Sequence, residues 1–402
     1  MRLAFVVPWF GEDLPGGAEA VVRELVFRLS RRGPLVEVLA TCIRDFHADW
    51  SENFWPPGVS EVRGVPVRRF PVQPRRRRAF DRVNRRLMFG GLPADGRSPL
   101  PPRLERTYIG QQFRCPALVD YLTIARDAYD LFVFMPYMFA STYYGILAVG
   151  RKAVLIPALH DEAYAYLDLY KPMFEAAGAV VTQTPAEHAL VRRLFGGSVA
   201  ARTHLLGMGV ETNTEGNAER FRRRYALPGR LLLYVGRRDV TKGVYRLIDC
   251  FLDYLEQGGE GELALIGPGE LPEPVGRHPR IHDLGFVDRQ TKYDAHRAAD
   301  VFVLPSEHEA FSIVLLESWL AGVPALVEAR GEAPREHCLH SGGGLYYHDA
   351  ATFAAALRWF QRHPREAELM GRAGRDYVLA NYSWPVVLAR FEALFAAPCV
   401  GA

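Results

Sequence analysis

The sequence lacks the features that would place it in several specialised classes of protein. Its five cysteines are odd in number, far apart and without the spacing of a zinc site, so neither a disulfide framework nor a bound metal is expected. No apolar run approaches a membrane span, and Pro8 interrupts the first one, so a signal peptide is not indicated. A net charge of +3 on 49 basic and 46 acidic residues predicts no general affinity for nucleic acid. These absences favour a cytoplasmic protein with reduced thiols.

The chain is long enough for two hydrophobic cores. It has 402 residues, 49% of them hydrophobic, which exceeds one ordinary domain. Strand-like apolar runs alternate with helical patterns from Leu3, and the alternation restarts at Leu231. This pattern predicts an α/β protein with two doubly wound, Rossmann-like parallel sheets that face each other across a cleft. The predicted domains cover 1–207 and 208–384, and a C-terminal helix within 385–402 could pack back on the first.

One block in the second half holds two glutamates, Glu309 and Glu317, eight residues apart. The block follows an apolar strand pattern at 301–305 and merges into a helical pattern that ends before Gly322. The predicted helix therefore begins at the carboxyl end of a parallel strand, where free N–H groups and the helix dipole bind anions. The amides predicted to begin it belong to Ser312, Ile313 and Val314.

A second candidate anion site lies between the strand that ends at Val235 and the next helix. The segment 236–243 holds Arg237 and Lys242 in a turn bounded by glycines. Two such cations suit a diphosphate, because hydrogen bonds to charged groups contribute about 1.5–3 kcal/mol each. By itself the segment is equally consistent with a solvated basic turn. The glutamate block in the same half favours phosphate binding.

Together these motifs resemble those of the retaining glycosyltransferases of family 4, which have the two-domain GT-B fold. The resemblance is specific between residues 230 and 330. Its motifs are Gly-Arg-x4-Lys-Gly at 236–243, Leu-Ile-Gly-Pro-Gly-Glu at 265–270, Leu-Gly-Phe-Val at 284–287 and Glu-x7-Glu at 309–317. The first half agrees more loosely, through Pro-Gly-Gly-Ala-Glu at 15–19 and Leu-His-Asp-Glu at 159–162.

The resemblance implies a role for each matching residue. Arg237 and Lys242 would bind the donor diphosphate, and Glu317 would bind the ribose hydroxyls. Glu309 would orient the donor sugar, and His160, from the first domain, would reach the reacting centre. The other implied positions are contacts to the diphosphate at Gly16, Gly17, Ser312, Ile313 and Val314, and a border to the base at Gly267, Phe286 and Val287. Ser312 departs from the family, which usually has glycine at this position.

The implied reaction moves a sugar from a nucleotide diphosphate to a hydroxyl acceptor with retention. Negative charge develops on the leaving diphosphate, and a metal or fixed positive groups must stabilise it. The sequence contains no Asp-x-Asp motif, so we expect no metal and no cofactor beyond the nucleotide-sugar co-substrate. Asp161 and Glu162 stand beside His160, but the resemblance implies front-face substitution, in which His160 orients the sugar rather than attacks it.

An arginine-rich segment, Arg75 to Met88, is the other local signal. Phe80, Val83 and Leu87 fall on one predicted helical face, with arginines around them. Such a helix could lie on an anionic membrane surface, which would favour a lipid-linked acceptor and a peripheral location on the inner face of the membrane. An ordinary surface helix with its apolar side on the core fits at least as well.

The expected pathway is the biosynthesis of a cell-surface polysaccharide, lipopolysaccharide or other glycoconjugate. Three alternatives share the GT-B architecture: a sugar-nucleotide epimerase, a phosphorylase, and a nucleotide-sugar binding protein without catalysis. An NAD-linked oxidoreductase is disfavoured, because Gly16 and Gly17 do not belong to a Gly-x-Gly-x-x-Gly motif.

Overall fold

The structure is a computed structural model that describes residues 1–14, 16–93, 95–271 and 278–397. These residues form two compact units. The first comprises Met1–Met208 together with the residues from Val387 onward, and the second comprises Gly209–Val386. Each unit has a hydrophobic core of its own. Four of the cysteines are buried free thiols, whereas Cys399 and Pro15 lie outside the described residues.

The first unit is built on a largely parallel sheet. Its strands are β1 (Arg2–Val6), β2 (Leu35–Thr41), β3 (Gly58–Val62), β4 (Val65–Phe70), β5 (Leu131–Phe134), β6 (Ala153–Leu155), β7 (Ala179–Thr182) and β8 (Thr203–Leu205). They are arranged in the order β3-β4-β2-β1-β5-β6-β7-β8. The edge strand β3 is antiparallel to β4, and the other neighbours are parallel. The strand order reverses between β1 and β5.

The second unit is built on a parallel sheet. Its strands are β9 (Leu231–Val235), β10 (Glu262–Ile266), β11 (Ile281–Gly285), β12 (Val301–Leu304), β13 (Ala325–Glu328) and β14 (Gly344–Tyr347). They are arranged in the order β11-β10-β9-β12-β13-β14. The order reverses between β9 and β12. Open parallel sheets bind their ligands at the carboxyl ends of the strands at such a reversal point.

Helices connect most of these strands. They are α1 (Gly17–Ser30), α2 (Arg77–Phe89), α3 (Pro102–Gln112), α4 (Pro116–Ile124), α5 (Ala140–Val149), α6 (Tyr170–Ala176), α7 (Pro185–Phe195), α8 (Gly197–Ala200), α9 (Ala218–Tyr225), α10 (Val244–Glu256), α11 (Arg289–Ala298), α12 (Ile313–Leu320), α13 (Glu332–Ser341), α14 (Ala350–Arg362), α15 (Pro364–Tyr382) and α16 (Trp384–Ala396). The last part of α16 belongs to the first unit, where Arg390 Nη1 donates to Leu206 O at 2.9 Å.

The predicted fold class is confirmed, because both units are α/β and the second series of strands begins at Leu231. The sequence patterns did not reveal β13 and β14. β13 ends in the charged Glu328 and β14 has a single fully buried residue, so neither has the continuous apolar run that indicates a buried strand. The chain passes from the first unit to the second between Met208 and Gly209, one residue after the end of the predicted first domain.

Candidate functional site

The loops that follow β9 and β12 lie side by side at the reversal point of the second sheet. The two strands pair in parallel, with Val301 opposite Leu232. Both loops therefore leave the same carboxyl edge of the sheet. The loop after β9 carries Arg237 and Lys242, and the loop after β12 carries Glu309 and leads into α12. The fold thus joins two motifs that are about 70 residues apart in sequence.

Hydrogen bonds within the loop after β9 shape its conformation. The buried Tyr234 hydroxyl donates to Arg237 O at 2.6 Å. Asp239 caps the short 3-10 turn that follows, because its carboxylate accepts from Lys242 N at 3.1 Å. Burial, followed by the charge of Glu309, raises the pKa of Tyr234, so the phenol remains a neutral donor. These contacts hold the backbone that carries both cations.

Gly243 lets the two loops approach each other closely. Its φ is 71°, and a Cβ at this position would lie 2.5 Å from Pro305 O. Both the backbone conformation and the space therefore require glycine. Nearby, Ser306 Oγ donates to Lys242 O at 3.3 Å, which adds a hydrogen bond between the two loops.

Lys242 and Glu309 form an ion pair between the two loops. Lys242 Nζ lies 2.6 Å from Glu309 Oε1, and the side chains are 25% and 14% exposed. Such partial burial leaves the pair less screened than one on the open surface. The ammonium has three N–H donors, so it can contact Glu309 and a phosphate oxygen together. Arg237 is more exposed, and its Nε lies 3.5 Å from Asp239 Oδ2.

Ser312 immediately precedes α12 in an unusual backbone conformation. Its φ and ψ are both 63°, in the left-handed region that favours glycine. This backbone gives a physical reason why family 4 usually has glycine here. The Ser312 hydroxyl oxygen is buried and has no hydrogen-bond partner among the described residues. The amides of Ile313 and Val314 lie in the first turn, where no preceding carbonyl of the helix can accept from them.

Glu317 lies one turn further along α12 and contacts a lysine that the sequence analysis missed. Lys292 Nζ, from α11, lies 2.5 Å from Glu317 Oε1. His296 Nε2 lies 3.8 Å from the other carboxylate oxygen. Burial, with a smaller effect of Lys292, lowers the pKa of His296 to about 3, so this contact is not an ion pair at neutral pH. Glu317 Oε2 is buried without a hydrogen-bond partner among the described residues.

The residues expected near the base lie at the ends of β10 and β11. Gly267 has a φ of 138°, and a Cβ there would overlap the neighbouring backbone. Phe286 is 78% exposed and is followed by the half-buried Val287, so the phenyl ring can stack on a planar ligand. Arg238 is buried instead, since its guanidinium binds Asp283 and the backbone of these loops.

In the first unit, Gly16 and Gly17 form the turn that begins α1, next to the reversal point of that sheet. Gly16 has a φ of 121°, which a residue with a side chain rarely adopts, and Gly17 is the first residue of the helix. Trp9 Nε1 donates to Glu19 Oε1 at 3.0 Å and holds the first turn of α1 against the end of β1.

His160 lies in the loop after β6, beside the two carboxylates considered above. His160 Nδ1 is 3.5 Å from Glu162 Oε1, and the imidazole is 27% exposed. Asp161 accepts from the Tyr166 hydroxyl at 2.8 Å and lies 2.5 Å from the guanidinium of Arg193. These contacts place Asp161 in a structural network within its own unit.

Glu187, another residue that the sequence analysis missed, supports the His160 loop. Its carboxylate is buried and accepts from Leu159 N and Gln183 N, each at 2.6 Å. Thr184 caps α7 by accepting from Glu187 N at 3.2 Å. Burial raises the pKa of Glu187 to about 8, against the opposite effect of the two backbone donors. A capping pattern Thr-x-x-Glu was present in the sequence, but nothing in it indicated the contact with Leu159.

The apolar stripe of the arginine-rich helix faces the core of the first unit. Phe80, Val83 and Leu87 are all buried there, so the face expected to contact a membrane is not available. The alternative of an ordinary surface helix describes this stripe correctly. The residues left exposed are Arg76, Arg77, Arg78, Arg82, Arg85 and Arg86, with Met88, Phe89 and Leu92 at the end of the helix. Among the described residues we find no helix with the length and apolar character of a transmembrane span.

Comparison with known proteins relates the part of the site in the second unit to a sequence family. Residues 229–362 match the sequence family described as Glycosyl transferases group 1. The D-rhamnosyltransferase WbpZ of Pseudomonas aeruginosa is 31% identical over 37% of this chain and 40% of its own. The D-inositol 3-phosphate glycosyltransferase of Corynebacterium diphtheriae is 26% identical over 58% of this chain and 60% of its own. The chain thus spans less than two thirds of these curated relatives.

Solved structures agree with the whole fold. Sucrose-phosphate synthase from Thermosynechococcus elongatus superimposes with a TM-score of 0.71 and 20% identity, over 98% of each chain. HepE of Anabaena, in complex with UDP and glucose, gives a TM-score of 0.68 and 16% identity, over 99% of this chain and all of the other. These structures have the fold in common with this protein. The matched segment thus resembles the group 1 glycosyltransferases, and the chain has the two-domain GT-B fold of the solved structures.

Proposed function

We propose that this protein is a retaining glycosyltransferase that moves a sugar from a nucleotide-diphosphate donor to a hydroxyl acceptor. The proposal rests on the ion pair between Lys242 and Glu309. Their charged atoms lie 2.6 Å apart where the second sheet reverses its strand order. The beginning of α12 adjoins them, and such a place suits a diphosphate. The structure of HepE with bound UDP-glucose, which has this fold, supports a nucleotide-sugar donor.

The surrounding groups suit the parts of such a donor. Lys242, Arg237 and the first amides of α12 can bind the diphosphate. Glu317 Oε2 has no hydrogen-bond partner in the described part of the chain, so it can accept from a ribose hydroxyl while Lys292 holds the other oxygen. Glu309 can accept from hydroxyls of the sugar while it binds Lys242, since each carboxylate oxygen can accept more than one hydrogen bond.

The leaving group determines what these residues do for the reaction. The diphosphate gains negative charge as the glycosyl bond breaks, and fixed cations at that place lower the barrier without reorganisation. Lys242, Arg237 and the helix dipole at α12 supply this charge, so we propose that no metal is required. His160 would orient the sugar, and substitution would occur on the face that the leaving group occupies.

The test begins with a thermal-shift screen against UDP-, GDP-, ADP- and TDP-sugars, followed by turnover of the best binder with and without candidate glycan acceptors. We expect turnover that depends on the acceptor and that persists fully in EDTA. The NMR coupling constant of the transferred sugar should show the same anomeric configuration in the product as in the donor. An inverted product would refute retention. Loss of activity in EDTA that Mg²⁺ restores would refute the proposal of metal independence, and donor conversion without acceptor would instead indicate an epimerase.

We further propose that the acceptor is a lipid-linked glycan in a cell-surface glycan pathway, and that the exposed end of α2 contacts the anionic membrane carrying it. Phe89 is 78% exposed and Met88 51%, beside the exposed arginines of the same helix. A cavity of about 640 Å³ at the beginning of α2 is lined by Arg75, Arg76 and Arg114 among others. Apolar tips with arginines suit the boundary of an anionic bilayer.

Flotation on liposomes tests this contact. Wild-type protein should float with vesicles that contain phosphatidylglycerol and remain in the dense fraction with neutral vesicles. Phe89→Asp combined with Arg82→Gln and Arg86→Gln should abolish flotation, whereas Arg372→Gln, on the exposed side of α15, should not. Equal recovery of all variants with both vesicle types would refute membrane binding and leave the transferase proposal intact.

A further inference from the structure

The second unit has a basic cavity at the edge of its sheet opposite the donor site. The cavity has a volume of about 720 Å³, within the usual range for small-molecule sites. Its walls come from the segments just before β9, β10 and β11, together with the end of α14. Lys242 and Glu309 follow the carboxyl ends of β9 and β12. The five residues of β9 therefore separate the two sites by about 16 Å.

Four arginines line this cavity: Arg230, Arg280, Arg358 and Arg362. Within the described part of the chain, none of them has a carboxylate oxygen within 4.0 Å. Two glutamates, Glu260 and Glu262, also line it. Glu262 Oε2 is engaged by His282 Nε2 at 2.8 Å. Four arginines and two glutamates give a formal balance of +2, so the cavity attracts anions.

Hydrogen bonds hold part of the walls in place. The hydroxyl of Tyr254, a residue only 1% exposed, accepts from Gln361 Nε2 at 2.9 Å and donates to Glu260 O at 3.2 Å. It thereby links α14 to the glycine-rich loop 258–261. Arg358 lies over the Tyr254 ring and donates to Gln257 Oε1 at 3.2 Å. These contacts order the loop 258–261, the end of α14 and the guanidinium of Arg358, which reduces the entropy lost on binding.

From this arrangement we propose that the cavity binds a small molecule bearing more than one phosphate charge, at a site separate from the donor diphosphate. Guanidinium groups recognise phosphate through paired, charge-assisted hydrogen bonds. Four of them around one cavity suit a diphosphate or a doubly phosphorylated compound better than a single carboxylate. The cavity is also larger than one inorganic phosphate requires.

Titration calorimetry with inorganic pyrophosphate on the full chain tests the proposal. A saturating concentration of UMP, which bears a single phosphate and so lacks the diphosphate proposed for the cavity, competes with pyrophosphate at the donor site, and EDTA is present throughout. We expect one molar equivalent to bind, and Arg280→Gln combined with Arg358→Gln to weaken binding at least about tenfold, the loss of one charge-assisted bond or more. Lys242→Ala should leave it unchanged. Arg82→Gln with Arg86→Gln, in the first unit, removes the same charge as a control.

Several results would overturn the proposal. Pyrophosphate that binds wild type but not Lys242→Ala occupies the donor site. Equal losses in the cavity variant and in the control indicate unspecific attraction. Absence of heat and of any thermal shift in wild type refutes the site outright. Circular dichroism and an unchanged response to UDP establish that the cavity variant is folded.

Discussion

At the scale of single residues, Lys242 and Glu309 form one ion pair but have different expected roles. Lys242 should affect nucleotide binding, and Glu309 should affect the rate of sugar transfer. Lys242→Ala should weaken nucleotide binding by about 1.5–3 kcal/mol, the contribution of a hydrogen bond to a charged group. Glu309→Gln keeps an oxygen that can accept from Lys242 but loses the charge near the sugar. We expect its kcat to fall about tenfold or more, with donor KM within about threefold.

Steady-state kinetics and calorimetry on the two variants test this division. Glu256→Gln, which removes an exposed carboxylate from α10 of the same unit, serves as the control and should behave as wild type. Full turnover by Glu309→Gln would show that our role for this residue is wrong.

Ser312 allows a prediction about stability. Its left-handed backbone costs free energy, and so does its buried hydroxyl, which has no partner among the residues that the structure describes. Ser312→Gly removes both costs and should raise the free energy of unfolding of the second unit by about 1 kcal/mol. Ser312→Ala removes only the buried hydroxyl, so its stability should lie between those of the other two. Urea unfolding gives the order, and a glycine variant less stable than wild type would show that the hydroxyl makes a stabilising contact.

At the scale of elements, Glu187 links the end of β6 to the beginning of α7. The pKa of this carboxyl rises from 4.5 to about 8 on folding. Between these values the folded protein binds a proton that the unfolded chain does not. Stability therefore falls as pH rises through this interval, by at most about 1.4 kcal/mol per pH unit.

Glu187→Gln should remove this dependence on pH. The amide does not titrate, but its NH₂ group faces a backbone donor, so the variant should be less stable than wild type at pH 5. Urea unfolding at pH 5 and pH 7.5, followed by a signal of the first unit, measures the difference. Parallel changes in both proteins would indicate that Glu187 is ionised throughout the range.

For the whole molecule, two separate cores predict that the two units unfold in separate thermal transitions, which respond differently to nucleotide. UDP should stabilise the unit that holds Lys242 by about 2.7 kcal/mol at a concentration one hundred times its dissociation constant. Calorimetry should show one transition that shifts with UDP and one that shifts less. Lys242→Ala should reduce the larger shift to less than about half, and Glu187→Gln should lower the other transition. A single transition that moves as a whole with nucleotide would contradict this assignment.

The sequence alone determined the fold class and the main motifs, because both depend on local order. Apolar periodicity along the chain indicates strands and helices, and Glu309, Glu317, Arg237 and Lys242 stand at recognisable spacings. The arginine-rich helix was also visible, but its pattern could not say whether its apolar side met lipid or core.

Only the tertiary structure decided which side chains meet, because contacts between loops depend on how strands pair. The adjacency of β9 and β12 places Lys242 against Glu309. Lys292 stands in unremarkable helical sequence, and the capping pattern around Glu187 did not indicate its contact with Leu159. Only packing brings these residues to Glu317 and to the His160 loop. The same packing turns Phe80 inward and gathers four arginines at the far edge of the second sheet. Periodicity is a property of neighbours along the chain, whereas a binding site is a property of neighbours in space.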